Sequence, residues 1–158
     1  MMAGRLFAVR VVTAAVILLA LLVGSSSALA GGASPRRGAL HITKECSQYT
    51  GEAGSFCTIT SSSLNAIKPG SKIVYASPML ADTVIYHSRV VIDGPGNNTA
   101  FGHVRIDVTI PPGPAVIGYI AFSGGTGVFT HFHAGPLAVR CSTLIDCTWD
   151  GPYNFSPH

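Results

Sequence analysis

His131 and His133 are the residues whose spacing comes nearest to a metal-binding pattern. Residues i and i+2 of a strand project from one face about 6.5–7 Å apart, so the two imidazoles could share an ion if His103 or His87 supplied a third ligand. The glutamate that would complete such a motif is missing, since Leu137 stands in its place. We expect no metal and no cofactor and interpret both histidines as surface or cavity-mouth residues; a metal site is the alternative.

Carboxylates suited to acid–base catalysis are few, and only Asp82 and Asp107 lie beside predicted strand cores. In the segment 101–110, His103, Arg105 and Asp107 alternate with apolar residues, which places all three on the face opposite the apolar side. That face is either a solvated outer surface or a polar lining at one end of a cavity. The sequence has no nucleophile elbow and no phosphate-binding loop. These three side chains are therefore the only catalytic candidates, and whether the protein is an enzyme stays open.

The first thirty residues have the order of a secretory signal. Arg5 and Arg10 precede an uncharged run over 11–23, and Ala-Leu-Ala at 28–30 forms a small-x-small cleavage site. The run is shorter than the roughly 20 residues that span a bilayer as a helix, which argues against the alternative of a membrane anchor. We expect residues 1–30 to be removed and the protein to be secreted, with no membrane contact after cleavage.

After the signal, a linker and one folded domain are expected. Residues 31–38 are rich in glycine and lack periodicity, which predicts a flexible linker, and residues 39–158 have the length of a single domain. The whole chain has 10 Lys and Arg against 7 Asp and Glu. Because Arg5 and Arg10 lie in the predicted signal, the remaining charges nearly balance, and we expect no nucleic-acid partner.

The four cysteines predict a disulfide framework, because secreted proteins mature in an oxidising compartment. Cys46, Cys57, Cys141 and Cys147 allow three pairings. We favour two local bridges, Cys46–Cys57 and Cys141–Cys147, since short loops close at lower entropic cost; the alternative ties the first strand to the last. Without a C-x-x-C spacing, a zinc–thiolate site is not expected.

The domain has the pattern of an all-β protein. Apolar and polar residues alternate in short runs that glycine and proline interrupt, which predicts an antiparallel barrel or sandwich of eight or nine strands. The predicted strands are 39–43, 56–61, 72–76, 83–92, 101–110, 116–122, 127–133, 136–141 and 147–155. If the chain runs unbroken past Gly135 and Pro136, His131 and His133 share the inner face with Leu137; a bulge at Gly135 would reset this alternation.

Four segments resemble the allene oxide cyclase and dirigent-like barrel superfamily. They are residues 119–134, with Ser-Gly-Gly-Thr-Gly at 123–127, then 149–155, 57–64 and 67–75. The resemblance covers most of 41–155 and implies a calycin-like, antiparallel eight-stranded barrel with an inner cavity for an apolar molecule. The matching residues are architectural, so no catalytic residue carries over. Members often form dimers or trimers, so the resemblance also implies a homo-oligomer.

The first hypothesis is therefore a secreted β-barrel that binds a small apolar molecule in its cavity. His131, His133, Phe129 and Tyr119 are the candidate ligand contacts. One alternative is a non-redox cyclase or a dirigent-type stereochemical guide, in which His103, Arg105 or Asp107 would face inward. Another alternative is a structural or interaction domain whose barrel is filled.

Overall fold

The computed structural model describes residues 36–156. The predicted signal, and the predicted linker as far as residue 35, lie outside the described residues. The first strand begins at Arg37 and so includes the last two residues of the predicted linker. Among residues 36–156, no helix has the length and hydropathy needed to span a bilayer.

Eight strands follow one another around a closed antiparallel barrel, each paired with its neighbours in the chain and the last with the first. This confirms the predicted all-β, eight-stranded barrel. The strands are β1 (Arg37–Glu45), β2 (Phe56–Ser62), β3 (Lys72–Tyr75), β4 (Ile85–Asp93), β5 (Thr99–Asp107), β6 (Gly118–Gly125), β7 (Phe132–Cys141) and β8 (Asp146–Phe155). Closure leaves no unpaired sheet edge.

The separate strand predicted over 127–133 is wrong. Gly127–Phe129 is a 3-10 turn, and Gly127 has a φ of 57°, which an extended strand does not tolerate. The two strands predicted over 127–141 are instead one strand, β7, with a register shift between Ala134 and Ala138. Phe132 points inward before this bulge, so His133 is directed away from the barrel interior.

Phenylalanine rings cluster at one end of the barrel. Phe132 is fully buried, and its ring centroid lies 5.4 Å from that of Phe129, 5.9 Å from that of Phe122 and 5.1 Å from that of Phe155. We call this the phenylalanine end. Aromatic rings at such separations fill volume and attract one another.

The opposite end carries both disulfides. Cys46 bridges to Cys57 where β1 and β2 begin to diverge, and Cys141 bridges to Cys147 across the β7–β8 hairpin. The two predicted local pairings are therefore confirmed. We call this the disulfide end. It also contains the loops 46–55, 76–84, 108–117 and 142–145.

Candidate functional site

A half-open cavity of about 110 Å³ lies at the disulfide end. Its walls combine both disulfides, three tyrosines, one lysine and apolar side chains. An adjoining hollow of about 220 Å³ shares Met79, Ile106, Val108 and Leu144 with it. The two spaces are therefore neighbours between the loops at this end, and we refer to them together as the recess.

Lys44 places an amine at the inner wall of this cavity. Leu40, Ile42 and Lys44 alternate along β1 and point inward, which leaves Lys44 only 4% exposed. Its Nζ donates hydrogen bonds to Tyr75 Oη at 3.1 Å and to Cys46 Sγ at 3.2 Å. Lys44 is the only buried Lys, Arg, Asp or Glu in the described part of the chain.

No carboxylate neutralises this amine. The ion pairs within 36–156 join Asp150 to His41 and to Arg140, and neither involves Lys44. Nζ instead lies 5.3 Å from the centre of the Trp149 ring, and burial lowers the pKa of Lys44 to about 7. At neutral pH a substantial fraction of the amine is therefore uncharged, because a low-dielectric environment disfavours the ammonium form.

The tyrosines give the cavity an aromatic wall with hydroxyl groups. The Tyr75 ring lies 4.9 Å from that of Tyr49 and 6.3 Å from that of Tyr86. Burial raises the pKa of Tyr75 and of Tyr49, and the neighbouring Tyr86 hydroxyl adds to both shifts. These two phenols stay protonated through the physiological range and can donate hydrogen bonds.

Exposed apolar side chains are concentrated in the loops at the disulfide end, and Met79, Val108 and Leu144 among them line the recess. Within residues 36–156, six of the nine large apolar residues that are exposed belong to these loops. We call these six the apolar rim: Met79, Leu80, Val84, Val108, Leu144 and Ile145. The most exposed of them is Leu144, at 85%. Clustered exposed apolar surface of this kind marks binding sites in soluble proteins.

The charges at the disulfide end are negative. Its loops and strand ends carry five carboxylates, and its four loops contain no Lys or Arg. The carboxylates are those of Glu45, Glu52, Asp82, Asp107 and Asp146. None of the five is buried, and among them only Asp107 borders the recess.

Two of the three catalytic candidates lie on the outer wall. His103 and Arg105 are exposed, as their alternation with apolar residues predicts. Asp107 is half-buried and borders the adjoining hollow. Its Oδ1 accepts hydrogen bonds from the Thr109 backbone N–H and hydroxyl, which lower the pKa of Asp107. Asp107 is therefore the only one of the three near the cavity, and it is held ionised.

The structure does not bring the four candidate ligand contacts together. His131 is exposed with a φ of 64°, and His133 borders a shallow hollow on the outer wall. Phe129 is buried at the phenylalanine end, whereas Tyr119 is 52% exposed on β6. No group of three or more His, Cys, Asp or Glu within 36–156 is arranged to hold a metal ion.

Sequence reasoning missed Lys44, although a signal was present. The predicted strand 39–43 ended one residue before Lys44, whereas β1 continues through Glu45. Extending the alternation of Leu40 and Ile42 by two residues places Lys44 on the inner face. The available sign of a buried amine was a lysine at a strand position that faces the apolar interior.

No family model, no curated protein and no solved structure matches this chain. The similarity to the allene oxide cyclase and dirigent-like superfamily therefore stays a prediction.

Proposed function

We propose that the protein binds a small apolar molecule in the cavity at its disulfide end. The observation that carries this proposal is the half-open cavity with apolar and aromatic walls, together with the apolar rim. A ligand that covers the exposed apolar side chains of the rim lowers the free energy by about 25 cal/mol per Å² of apolar surface removed from water. A structural domain would have no need of such a surface.

The size of the recess limits the ligand. Cavities for drug-sized ligands measure roughly 300–1,000 Å³, whereas the cavity holds about 110 Å³ and the adjoining hollow about 220 Å³. The proposed ligand is therefore small, and its outer part lies between Met79 and Leu144 while its inner part contacts Tyr75.

We place this binding outside the cell and in the allene oxide cyclase and dirigent-like superfamily. Two disulfides are consistent with an oxidising compartment, and the predicted signal agrees with them. The superfamily assignment is supported by the eight-stranded meander that closes on itself and by the glycine-rich turn after β6.

A second candidate function is a non-redox cyclase or stereochemical guide that uses the same cavity. The contact between Lys44 Nζ and Tyr75 Oη favours it, because a partly neutral amine beside a protonated phenol can move a proton at neutral pH. Turnover of a bound ligand, abolished by Lys44→Met, would distinguish this activity from binding alone.

Binding can be tested with toluene and benzyl alcohol as probes. Trp149 is the only tryptophan and lies beside Lys44, so a ligand in the cavity should change its fluorescence. Ile106→Phe fills part of both hollows and should weaken toluene binding about tenfold, the equivalent of 1.4 kcal/mol. The matched variant Val74→Phe adds similar volume on the outer wall of β3 and should bind as the wild type does.

Native mass spectrometry of the secreted protein supplies an independent readout. An organic adduct that is lost on denaturation would support the proposal and identify the ligand class. Equal toluene affinities for the wild type and Ile106→Phe would show that toluene binds outside this cavity, and no binding at all would favour a structural domain.

A further inference from the structure

We propose that the cavity captures a small apolar aldehyde or ketone as an imine on Lys44. This inference rests on the proposed function and names the chemistry of its ligand. The geometry behind it is an amine that is 4% exposed, lines the cavity and lies 3.1 Å from the Tyr75 hydroxyl.

The groups that face Nζ leave it available as a nucleophile. The residue after β1 contributes Cys46 Sγ, the start of β2 contributes Cys57 Sγ at 3.5 Å, β3 contributes Tyr75 and β8 contributes Trp149. All four side chains are uncharged. Since none of them stabilises an ammonium ion as a carboxylate would, the free-base form that attacks carbonyl groups is populated near neutral pH.

The surrounding charges favour a neutral ligand over an anionic one. An apolar acid could form an ion pair with Lys44, but it would lie beside the Asp107 carboxylate that borders the adjoining hollow, and the loops of the disulfide end offer it no Lys or Arg. A neutral carbonyl compound meets no such repulsion. It also buries its apolar part against the cavity walls without the cost of desolvating a carboxylate.

The proposed step balances without an oxidant or a reductant. The Nζ lone pair attacks the carbonyl carbon and forms a C–N bond while the carbonyl oxygen takes up a proton, which gives a carbinolamine. The C–O bond then breaks, the two amine hydrogens leave with that oxygen as water, and a C=N bond remains.

Tyr75 is the proton donor in this scheme. Its hydroxyl lies within hydrogen-bond distance of Nζ, so it is well placed to donate to the oxygen of the carbinolamine. Burial raises the pKa of Tyr75, which keeps this proton donor intact at neutral pH. The apolar walls limit the access of water to the imine and so slow its hydrolysis.

The test is reductive trapping of benzaldehyde by the full disulfide-bonded protein. The protein is incubated with benzaldehyde and sodium cyanoborohydride at pH 7, and the benzyl adducts are located by peptide mapping. Lys68 and Lys72 are the only other lysines and both are exposed, so they serve as internal controls. Because an ordinary lysine with a pKa near 10.4 is almost fully protonated at pH 7, we expect about 10–100 times more adduct on Lys44.

Variants separate the roles of the two side chains. Lys44→Met should remove this adduct, whereas Lys68→Met should leave it unchanged. Tyr75→Phe keeps the ring that lines the cavity and removes only the hydroxyl, so it should slow trapping several-fold more than it weakens the binding of toluene. Equal losses in both measurements would show that the hydroxyl has only a structural role.

The outcomes distinguish this inference from the proposed function. If benzyl alcohol binds but benzaldehyde labels Lys44 no faster than Lys68, the cavity binds apolar molecules and the imine is wrong. If benzoate binds more tightly than benzyl alcohol and Lys44→Met abolishes that preference, Lys44 anchors an acid and the imine inference is overturned. If none of the three compounds binds, both proposals fail.

Discussion

The phenylalanine end and the disulfide end are built from the same eight strands, yet their interiors are filled differently. At the phenylalanine end, Phe122, Phe129 and Phe132 lie within the core with at most 3% exposure. At the disulfide end, cysteines and Lys44 occupy the inward positions and a cavity remains. The first end is therefore held by packing, and the second is held by covalent bridges around an incompletely filled space.

The difference shows how one barrel can combine rigidity with a binding site. Loops around a cavity bury less apolar surface than a filled core does, and a disulfide compensates by reducing the entropy of the unfolded chain. The apolar rim remains exposed because the loops that carry it cover no core. Mutations at the two ends should accordingly affect different properties, namely stability at one end and binding together with pH dependence at the other.

The largest effect is expected from Phe132→Ala. Phe132 is fully buried and contacts three other phenylalanine rings, so its truncation leaves a cavity and should lower the free energy of unfolding by about 3–5 kcal/mol. Urea unfolding measures the change. The control Phe101→Ala removes a ring that is 47% exposed and should change stability by no more than about 0.5 kcal/mol. Similar losses for both variants would contradict the packing of this end.

Removal of the hairpin disulfide should have the next largest effect. The double substitution Cys141→Ala and Cys147→Ala opens a loop with a sequence separation of 6 and should lower the free energy of unfolding by about 2–3 kcal/mol in the chain-entropy model. Ser142→Ala, in the same loop, is the control. Hydrogen exchange should increase in the loops of the disulfide end and stay unchanged around Phe132; faster exchange at both ends would show that the ends are not independent.

The pH dependence of the free energy of unfolding should reveal the lowered pKa of Lys44. The unfolded chain holds the lysine proton up to about pH 10.5, whereas the folded protein releases it near pH 7. Between these values the unfolded state binds more protons, so stability rises with pH, by about 2 kcal/mol from pH 7 to pH 9. Above pH 10 the raised pKa values of Tyr49 and Tyr75 act in the opposite direction, since only the unfolded tyrosines ionise there.

Lys44→Met provides the decisive variant for this dependence. It replaces a buried amine with an apolar side chain of similar length, so the rise between pH 7 and pH 9 should disappear and stability at pH 7 should increase. Lys68→Met, at an exposed position, should keep the wild-type profile. A rise that persists in Lys44→Met would assign it to another group.

Most of the fold could be predicted from the sequence because alternation and chain breakers are local signals. They located all eight strands, and spacing pointed to both disulfides. The errors have a physical origin. The strand predicted over 101–110 was too long, since β5 ends at Asp107. The apolar alternation continues through Val108, but Val108 is exposed on the apolar rim and does not pack in the core. Similarly, Gly127 follows β6 without extending a ladder, since its positive φ turns the chain.

The candidate site was harder to predict because it depends on contacts between distant parts of the chain. Lys44, Tyr75 and Leu144 meet only after the barrel closes, and no local pattern joins them. His131 and His133 attracted attention through their spacing, yet they lie where β7 begins, at the phenylalanine end, whereas the cavity lies where β7 ends at Cys141. The useful signal was the position of Lys44 in β1, which alternates with Leu40 and Ile42 on the inward face.

The smallest effect on stability, with a clear effect on binding, is expected from Leu144→Ser. Leu144 is 85% exposed, so its replacement should change the free energy of unfolding by no more than about 0.5 kcal/mol. It also lines both hollows, and the loss of its apolar contact should weaken toluene binding by about 1 kcal/mol, roughly fivefold. Val128→Ser, which removes a 52% exposed side chain near the phenylalanine end, is the matched control and should leave the affinity unchanged. If both variants weakened binding equally, the ligand would not distinguish the two ends, and the cavity at the disulfide end would not be the binding site.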